Sequence, residues 1–311
     1  MTGAVLLALV PVASLIGLGL ALRRSGFLAD AFWPQAERLA YYVLLPSLFV
    51  HGLATARLDA VPVASLAAAL VLSTLAVAAL LVAVEPRLGL DGAAFTSVFQ
   101  GGVRFNSFVG VTLAAGLFGA QGVALAAACV AVIVPTVNVL CVLVFARYGA
   151  ARPTLAGVAR GVALNPLVLG CLIGAGLQVA GTGLPGTVDA VLRALGQASL
   201  PLGLLCVGAA LEVGPARAWA RPILAASFAK FALMPLAAAL ACAGLGLHGP
   251  AATAALLFQS LPTASSSYIL ARQLGGDAPL MAGITAVQTV LAVAAIPLAL
   301  AALAGPFAPP G

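Results

Sequence analysis

Charge is what this sequence has least of. Only 7% of its 311 residues are Asp, Glu, Lys or Arg, against about 25% in a soluble domain, too few to cover a water-facing surface. Acids are the scarcer sign. All eight (Asp30, Glu37, Asp59, Glu85, Asp91, Asp189, Glu212 and Asp277) fall in loops or at the ends of apolar stretches. No stretch therefore holds paired acidic metal ligands or a central Asp pair, which argues against a prenyl transferase and an aspartyl membrane protease. Histidine is limited to His51 and His248; both are expected to be structural, and no span pairs one with a serine nucleophile. The five cysteines (Cys129, Cys141, Cys171, Cys206 and Cys242) show no CxxC or metal spacing and read as small buried hydrophobes. No cofactor, metal site or enzymatic activity is expected. The net charge of +6 is not a nucleic-acid signal, because the basic residues gather at the ends of apolar stretches.

Apolar residues take the place of charge. They make up 63% of the chain, in runs of about 20 residues, each long enough to cross a hydrocarbon core roughly 30 Å thick. An outer-membrane barrel would instead alternate over segments of about 10 residues. The first run, Val5 to Leu22, is followed by Arg23 and Arg24 rather than preceded by charge, so it reads as a mature span and not a signal peptide. Ten spans fit, at roughly 4–22, 34–55, 60–84, 93–118, 121–146, 157–180, 187–211, 221–243, 250–272 and 278–304. Loops after odd-numbered spans hold Arg23, Arg24, Arg38, Arg87, Arg147, Arg152, Arg160, Arg217, Arg221 and Arg272; those after even-numbered spans hold only Arg57 and Arg193. Basic loops stay in the cytoplasm, so both termini are expected on the non-cytoplasmic side of the plasma (inner) membrane.

The chain also repeats itself. "LIGLGL" at Leu15–Leu20 recurs as "LIGAGL" at Leu172–Leu177, offset by 157; Leu45–Pro46 recurs at Leu200–Pro201; and Phe99–Gln100 recurs at Phe258–Gln259, offset by 159. Pro11 likewise matches Pro166. Two halves follow, 1–148 and 149–311, with five spans each. An odd number of spans turns the second half upside down, and inverted repeats are a signature of secondary transporters with a midplane site on discontinuous helices. The fold class expected is an all-α membrane protein of ten transmembrane helices in two inverted five-helix repeats.

Spans 4 and 9, matched by the repeat, are both interrupted. Span 9 contains "LPTASSSY" with Pro262, and span 4 contains "FQGGVRFNS" with the Gly101–Gly102 pair. Proline removes a donor and breaks the helix, glycine loosens it, and irregular backbone at that depth must face protein or a water-filled cavity. Two such breaks at matched positions predict helices that cross at a substrate site. Packing kinks, with the hydroxyls bonded back to their own helices, are the alternative. Asn106, Ser107, Thr263, Ser265, Ser266 and Ser267 flank the breaks as candidate ligands, with Gln100 and Gln259 as supporting groups. Two ionisable residues lie near mid-span, Arg104 in span 4 and Lys230 in span 8. Intramembrane charges are costly and mostly functional. With no carboxylate beside them, a carboxylate substrate is the natural partner, held by the planar guanidinium through two parallel hydrogen bonds. Alternatively, Arg104 clamps carbonyls freed at the breaks and Lys230 packs against helix ends.

Six motifs run the length of the chain: "YYVLLPSLFVHGLA" (Tyr41–Ala54), "RFNSFVG" (Arg104–Gly110), "VPTVNVL" (Val134–Leu140), "NPLVLGCLIGAGL" (Asn165–Leu177), "LGQASLPLGLLCVGAAL" (Leu195–Leu211) and "LPTASSSYILARQLGGD" (Leu261–Asp277). Through them the sequence resembles the auxin efflux carrier family in its short bacterial form, within the wider bile-acid/sodium-symporter-like group. The resemblance implies that helices 4 and 9 cross at their broken middles. It also implies a scaffold of helices 1, 2, 6 and 7, a transport core of helices 3–5 and 8–10, and transport of small organic anions. Two departures stand out. The family's fourth span ends in Gly-x-Pro where this chain has Gly110-Val111-Thr112, and the acidic–basic pair of plant members is missing from Val63–Ala83. Auxin and its charge-pair mechanism are therefore not carried over. The reading is a secondary transporter of a mono- or dicarboxylate by alternating access, with the lipid bilayer and the anion as partners. An anion channel or an intramembrane enzyme is the alternative, and a homodimer is left open.

Overall fold

The computed structural model describes residues 2–55, 62–149, 155–211 and 219–307. The loop charges Arg57, Asp59, Arg152, Glu212 and Arg217 lie outside them. The described residues are helical, without strands, and six of their helices are long and apolar enough to cross a membrane. One apolar stretch, Gly92–Tyr148, runs for 57 residues, a path of roughly 85 Å at helical rise and too long for a single crossing. It is divided twice. The helix stops at 104–106, and Gly119 takes a non-helical φ of 58°, a conformation glycine adopts without penalty. Beyond it Gly122 packs on the backbone of Ala114, leaving no room for a side chain, so the chain doubles back at Gly119. That is where the sequence places the end of span 4.

Contacts divide the chain into two compact units interleaved along the sequence. The first comprises 1–61, 107–131 and 163–210. Its helices are α1 (Thr2–Arg24), α2 (Phe32–Leu39), which runs through a π-helical turn (Ala40–Leu44) into α3 (Leu45–Thr55), the start of α6 (Ser107–Tyr148), α8 (Pro166–Ala180) and α9 (Gly186–Ala209). Lipid-like surroundings give no hydrophobic drive for helices to associate, so small residues that allow close approach carry the packing. Here α1 meets α9 at Gly19 and Gly208, where a side chain would run into the backbones of Leu205 and Ile16. A Cβ on Gly174 of α8 would lie 2.9 Å from the carbonyl oxygens of Phe49 and Val50 on α3. Asn165 caps α8 by accepting from Leu167 N (3.0 Å) and Val168 N (3.3 Å). Arg23 donates to the Ala209 carbonyl at the end of α9, at 2.6 Å.

The second unit comprises 62–106, 132–162 and 211–311. It holds α4 (Val63–Leu88), α5 (Gly92–Val103), the end of α6, α7 (Leu155–Ala163), α10 (Ala220–Phe228), a π-helical turn (Ala229–Leu233), α11 (Met234–Gly244), α12 (Gly249–Gln259), α13 (Ser266–Leu274) and α14 (Ala278–Leu303). Small and branched residues again form its core, among them Ala94, Val98, Ala226, Leu280 and Ile284. Acids appear here as caps. Asp91 accepts from Ala94 N at 2.8 Å to start α5, and Asp277 accepts from Leu280 N at 2.9 Å to start α14. Carboxylates at helix N-termini complement both the free N–H groups and the dipole, which is why these two sit at helix ends.

Candidate functional site

Both breaks, 104–106 and 260–265, lie in the second unit, and their geometry corrects one expectation. The glycine pair does not form the first break. Gly101 and Gly102 are helical and form a notch: a Cβ on Gly101 would lie 2.6 Å from Ile284 Cγ2, and one on Gly102 2.7 Å from Leu81 Cδ1. The helix runs on to Val103, and Arg104, two residues past the pair, turns extended (φ −75°, ψ 160°). The second break matches expectation. α12 stops at Gln259 and α13 starts at Ser266, with Pro262 between them and its missing N–H.

The breaks are joined to each other. Asn106 N donates to the Pro262 carbonyl at 2.8 Å. Gln288 on α14, fully buried, accepts from Thr263 N at 3.0 Å and donates to the Gly101 carbonyl at 3.0 Å. One amide thus satisfies a backbone donor of the second break and a backbone acceptor beside the first, groups that could not stay unpaired in a buried interior.

At this junction Arg104 reaches two neutral partners, Asn138 Oδ1 at 2.9 Å and Ser266 Oγ at 3.3 Å. Its Nε is buried without a hydrogen-bond partner among the described residues. Among the described residues no carboxylate pairs with it. The thiol of Cys141 lies beside the guanidinium and within electrostatic reach of Lys230. Neutral groups orient the guanidinium without cancelling its charge, leaving it able to hold an anion.

The other predicted residues are placed as follows. Asn106, Pro262, Thr263 and Ser267 are buried, while Ser107, Ser265 and Ser266 are half-buried. Thr263 Oγ1 and Ser267 Oγ pair with each other at 3.2 Å; Ser266 supplies the hydroxyl that Arg104 reaches. Gln259 is committed elsewhere, its Nε2 donating to Leu70 O (3.1 Å), Ser73 Oγ (2.8 Å) and Thr74 Oγ1 (2.9 Å) on α4. Gln100 and Lys230 are fully buried, and their side-chain polar atoms have no hydrogen-bond partner among the described residues. In the first unit, His51 Nε2 lies 3.0 Å from Asp189 Oδ1, and Arg193 pairs with the same carboxylate.

Sequence reading missed Asn138, Gln288, Ser73 and Thr74. The available signal was an amide or hydroxyl inside an apolar span, since such groups must find a partner there. Gln288 in "GITAVQTVLAV" and Asn138 in "VPTVNVL" both qualify.

Residues 4–300 match the family described as membrane transport protein. No curated protein matches the chain.

Proposed function

The chain belongs to the membrane transport protein family, that of the auxin efflux carriers, and from that premise we propose that this multi-pass membrane transporter carries a small organic anion, a mono- or dicarboxylate, by alternating access. The observation that carries this reading is Arg104: a guanidinium at the junction of two broken helices, held by neutral Asn138 and Ser266 with its Nε free of partners among the described residues. A carboxylate is the planar acceptor that such a fork fits. Ser266, which Arg104 reaches, is the hydroxyl that would meet the rest of the substrate, with the half-buried Ser265 and Ser107 next to the breaks in sequence as further candidates. Asn106, Pro262 and Thr263 shape the junction.

The ten-span inverted repeat with outward-facing termini is part of the same reading, and packing within the first unit supports it. α1 meets α9 on Gly19, and α8 meets α3 on Gly174. In span numbers these are contacts of 1 with 7 and 6 with 2, which the repeat exchanges. The test is a thermal-shift screen of the purified protein against mono- and dicarboxylates, followed by counterflow in proteoliposomes. A carboxylate is expected to raise the melting temperature, and its labelled form to enter faster when unlabelled anion is loaded inside. Uptake indifferent to the internal anion would point to a channel, and stabilisation by no carboxylate would remove the anion reading.

A further inference from the structure

Lys230 is the charged group that the anion site leaves without a task. It lies in the π-helical turn Ala229–Leu233 of the second unit, fully buried, and its Nζ has no hydrogen-bond partner among the described residues. π-helical turns are rare and often mark functional positions. Among the described residues Ser227, three residues earlier, also has a buried, unpartnered hydroxyl, and Gln100 on α5 leaves both amide atoms unpartnered. These residues occupy adjoining stretches of two packed helices. A Cβ on Gly101 would lie 3.0 Å from Ala226 Cβ, and one on Gly102 3.3 Å from Ala229 Cβ.

The matching position in the other half is complete in itself. Gln259, the mate of Gln100, is satisfied by Leu70, Ser73 and Thr74. Ser73 precedes Lys230 by 157, the offset of the LIG motifs. Where one half places a hydroxyl that an amide satisfies, the other places an ammonium.

α4, α5, α10, α11 and α14 pack against the π-helical turn. Their titratable groups are Glu85 and Arg87 in the last turn of α4, Asp91 capping α5 with Arg104 at its end, Arg221 starting α10, Cys242 on α11 and Asp277 capping α14. None of these carboxylates pairs with Lys230, and Cys141 on α6 is the titratable group within its electrostatic reach. A charge withdrawn from water without a counter-charge costs several kcal/mol; a neutral amine does not carry that cost. An anion arriving at Arg104, which shares Cys141 with Lys230 as a neighbour, supplies the missing negative charge.

We infer that Lys230 is a proton-binding site filled when the anion binds, so that one proton accompanies each anion. The amine nitrogen takes a proton from solvent as the anion docks, and both leave together on the other side. This rests on the anion reading of Arg104, and the experiment separates the two. Acetate, lactate, malonate, succinate and malate are titrated calorimetrically into the full-length protein in HEPES, Tricine and Tris, which buffer near pH 8 and differ in ionisation heat. At about pH 8 these acids are already ionised, so any proton taken up binds the protein. The fitted affinity tests the anion site; the dependence of heat on buffer ionisation counts protons. The wild type is expected to take up close to one proton per anion. Lys230→Arg, always charged, should bind within a few-fold of wild type and take up none. Lys230→Met should bind roughly tenfold more weakly and take up none. Binding by the wild type without proton uptake, or uptake that persists in Lys230→Arg, overturns the inference and leaves the anion site standing. Binding of none of the five acids brings down the anion site and this inference with it.

Discussion

The two units are both helical and both apolar, yet they cohere by different means. In the first, helices meet on glycines: Gly19, Gly174 and Gly208 bring backbones so close that a methyl group would not fit. Its main charged cluster, His51, Asp189 and Arg193, is not fully buried. In the second, polar side chains reach across between helices: Gln288 joins both breaks, Gln259 ties α12 to α4, and Arg104 ties the first break to α6 and α13. Glycine seams give fixed packing with no chemistry attached. Polar ties cost more to build in an apolar interior and are the places where an ion can be received. Substitutions in the two units should therefore separate stability from binding.

The largest effect is expected at Arg104. Removing one partner of a buried charge pair costs roughly 3–5 kcal/mol, so Arg104→Gln should weaken carboxylate binding by a factor of hundreds or more while the protein still folds. Arg104→Lys keeps the charge and loses the fork, and should bind weakly rather than not at all. Affinity normalised to the folded fraction decides. If Arg104 only clamps the helix ends, the Gln variant will melt lower and bind nearly as well as wild type.

A smaller effect, on both quantities, is expected at Gln288. Gln288→Leu fills the same space but leaves Thr263 N and the Gly101 carbonyl without their partner, at about 1–3 kcal/mol for each group. Gln288→Glu keeps the acceptor for Thr263 N and loses the donor to Gly101. The expected order of melting temperature and of carboxylate affinity is wild type, Glu, Leu. Equal behaviour of Leu and wild type would mean that the Asn106–Pro262 bond holds the junction alone.

Much of this was legible in the sequence because the membrane imposes simple rules. Length and apolarity located the helices, and Pro262 located the second break, since a missing N–H has one consequence at that depth. The first break was misplaced by two residues because glycine has two uses. Gly101 and Gly102 read as looseness but serve as a notch for Ile284 and Leu81. The direction of Gln259 was not legible either. An amide beside a break looks available to the substrate, and only packing shows it turned to Ser73 and Thr74. Arg104 and Lys230 stood out by type, but that one has neutral partners and the other none among the described residues depends on neighbours far away in sequence.

The smallest effect offers the finest test of how the first unit coheres. The repeated motif supplies two glycines to each half, and the halves use opposite members. In "LIGLGL" Gly17 has open space where a Cβ would go, while Gly19 is pressed on Leu205. In "LIGAGL" Gly174 is pressed on α3, and Gly176 is open. Sequence symmetry alone predicts that Gly17 and Gly174, at the same motif position, tolerate alanine alike. Packing predicts that they do not. Gly174→Ala sets a methyl 2.9 Å from two carbonyl oxygens, which α3 and α8 can relieve only by moving apart, at roughly 1–3 kcal/mol. Gly17→Ala meets nothing within 4 Å, and alanine is the better helix former by about 0.5–1 kcal/mol, so this variant should be neutral or slightly more stable. Gly19→Ala and Gly176→Ala should reverse the order. Thermal unfolding of the four variants in one detergent measures this, with carboxylate affinity per folded molecule expected to stay at the wild-type value in all four. If Gly17→Ala and Gly174→Ala lose stability equally, the glycines act through the motif rather than through the seams. If Gly174→Ala alters affinity without altering stability, the seam is not merely packing and the contrast between the units fails.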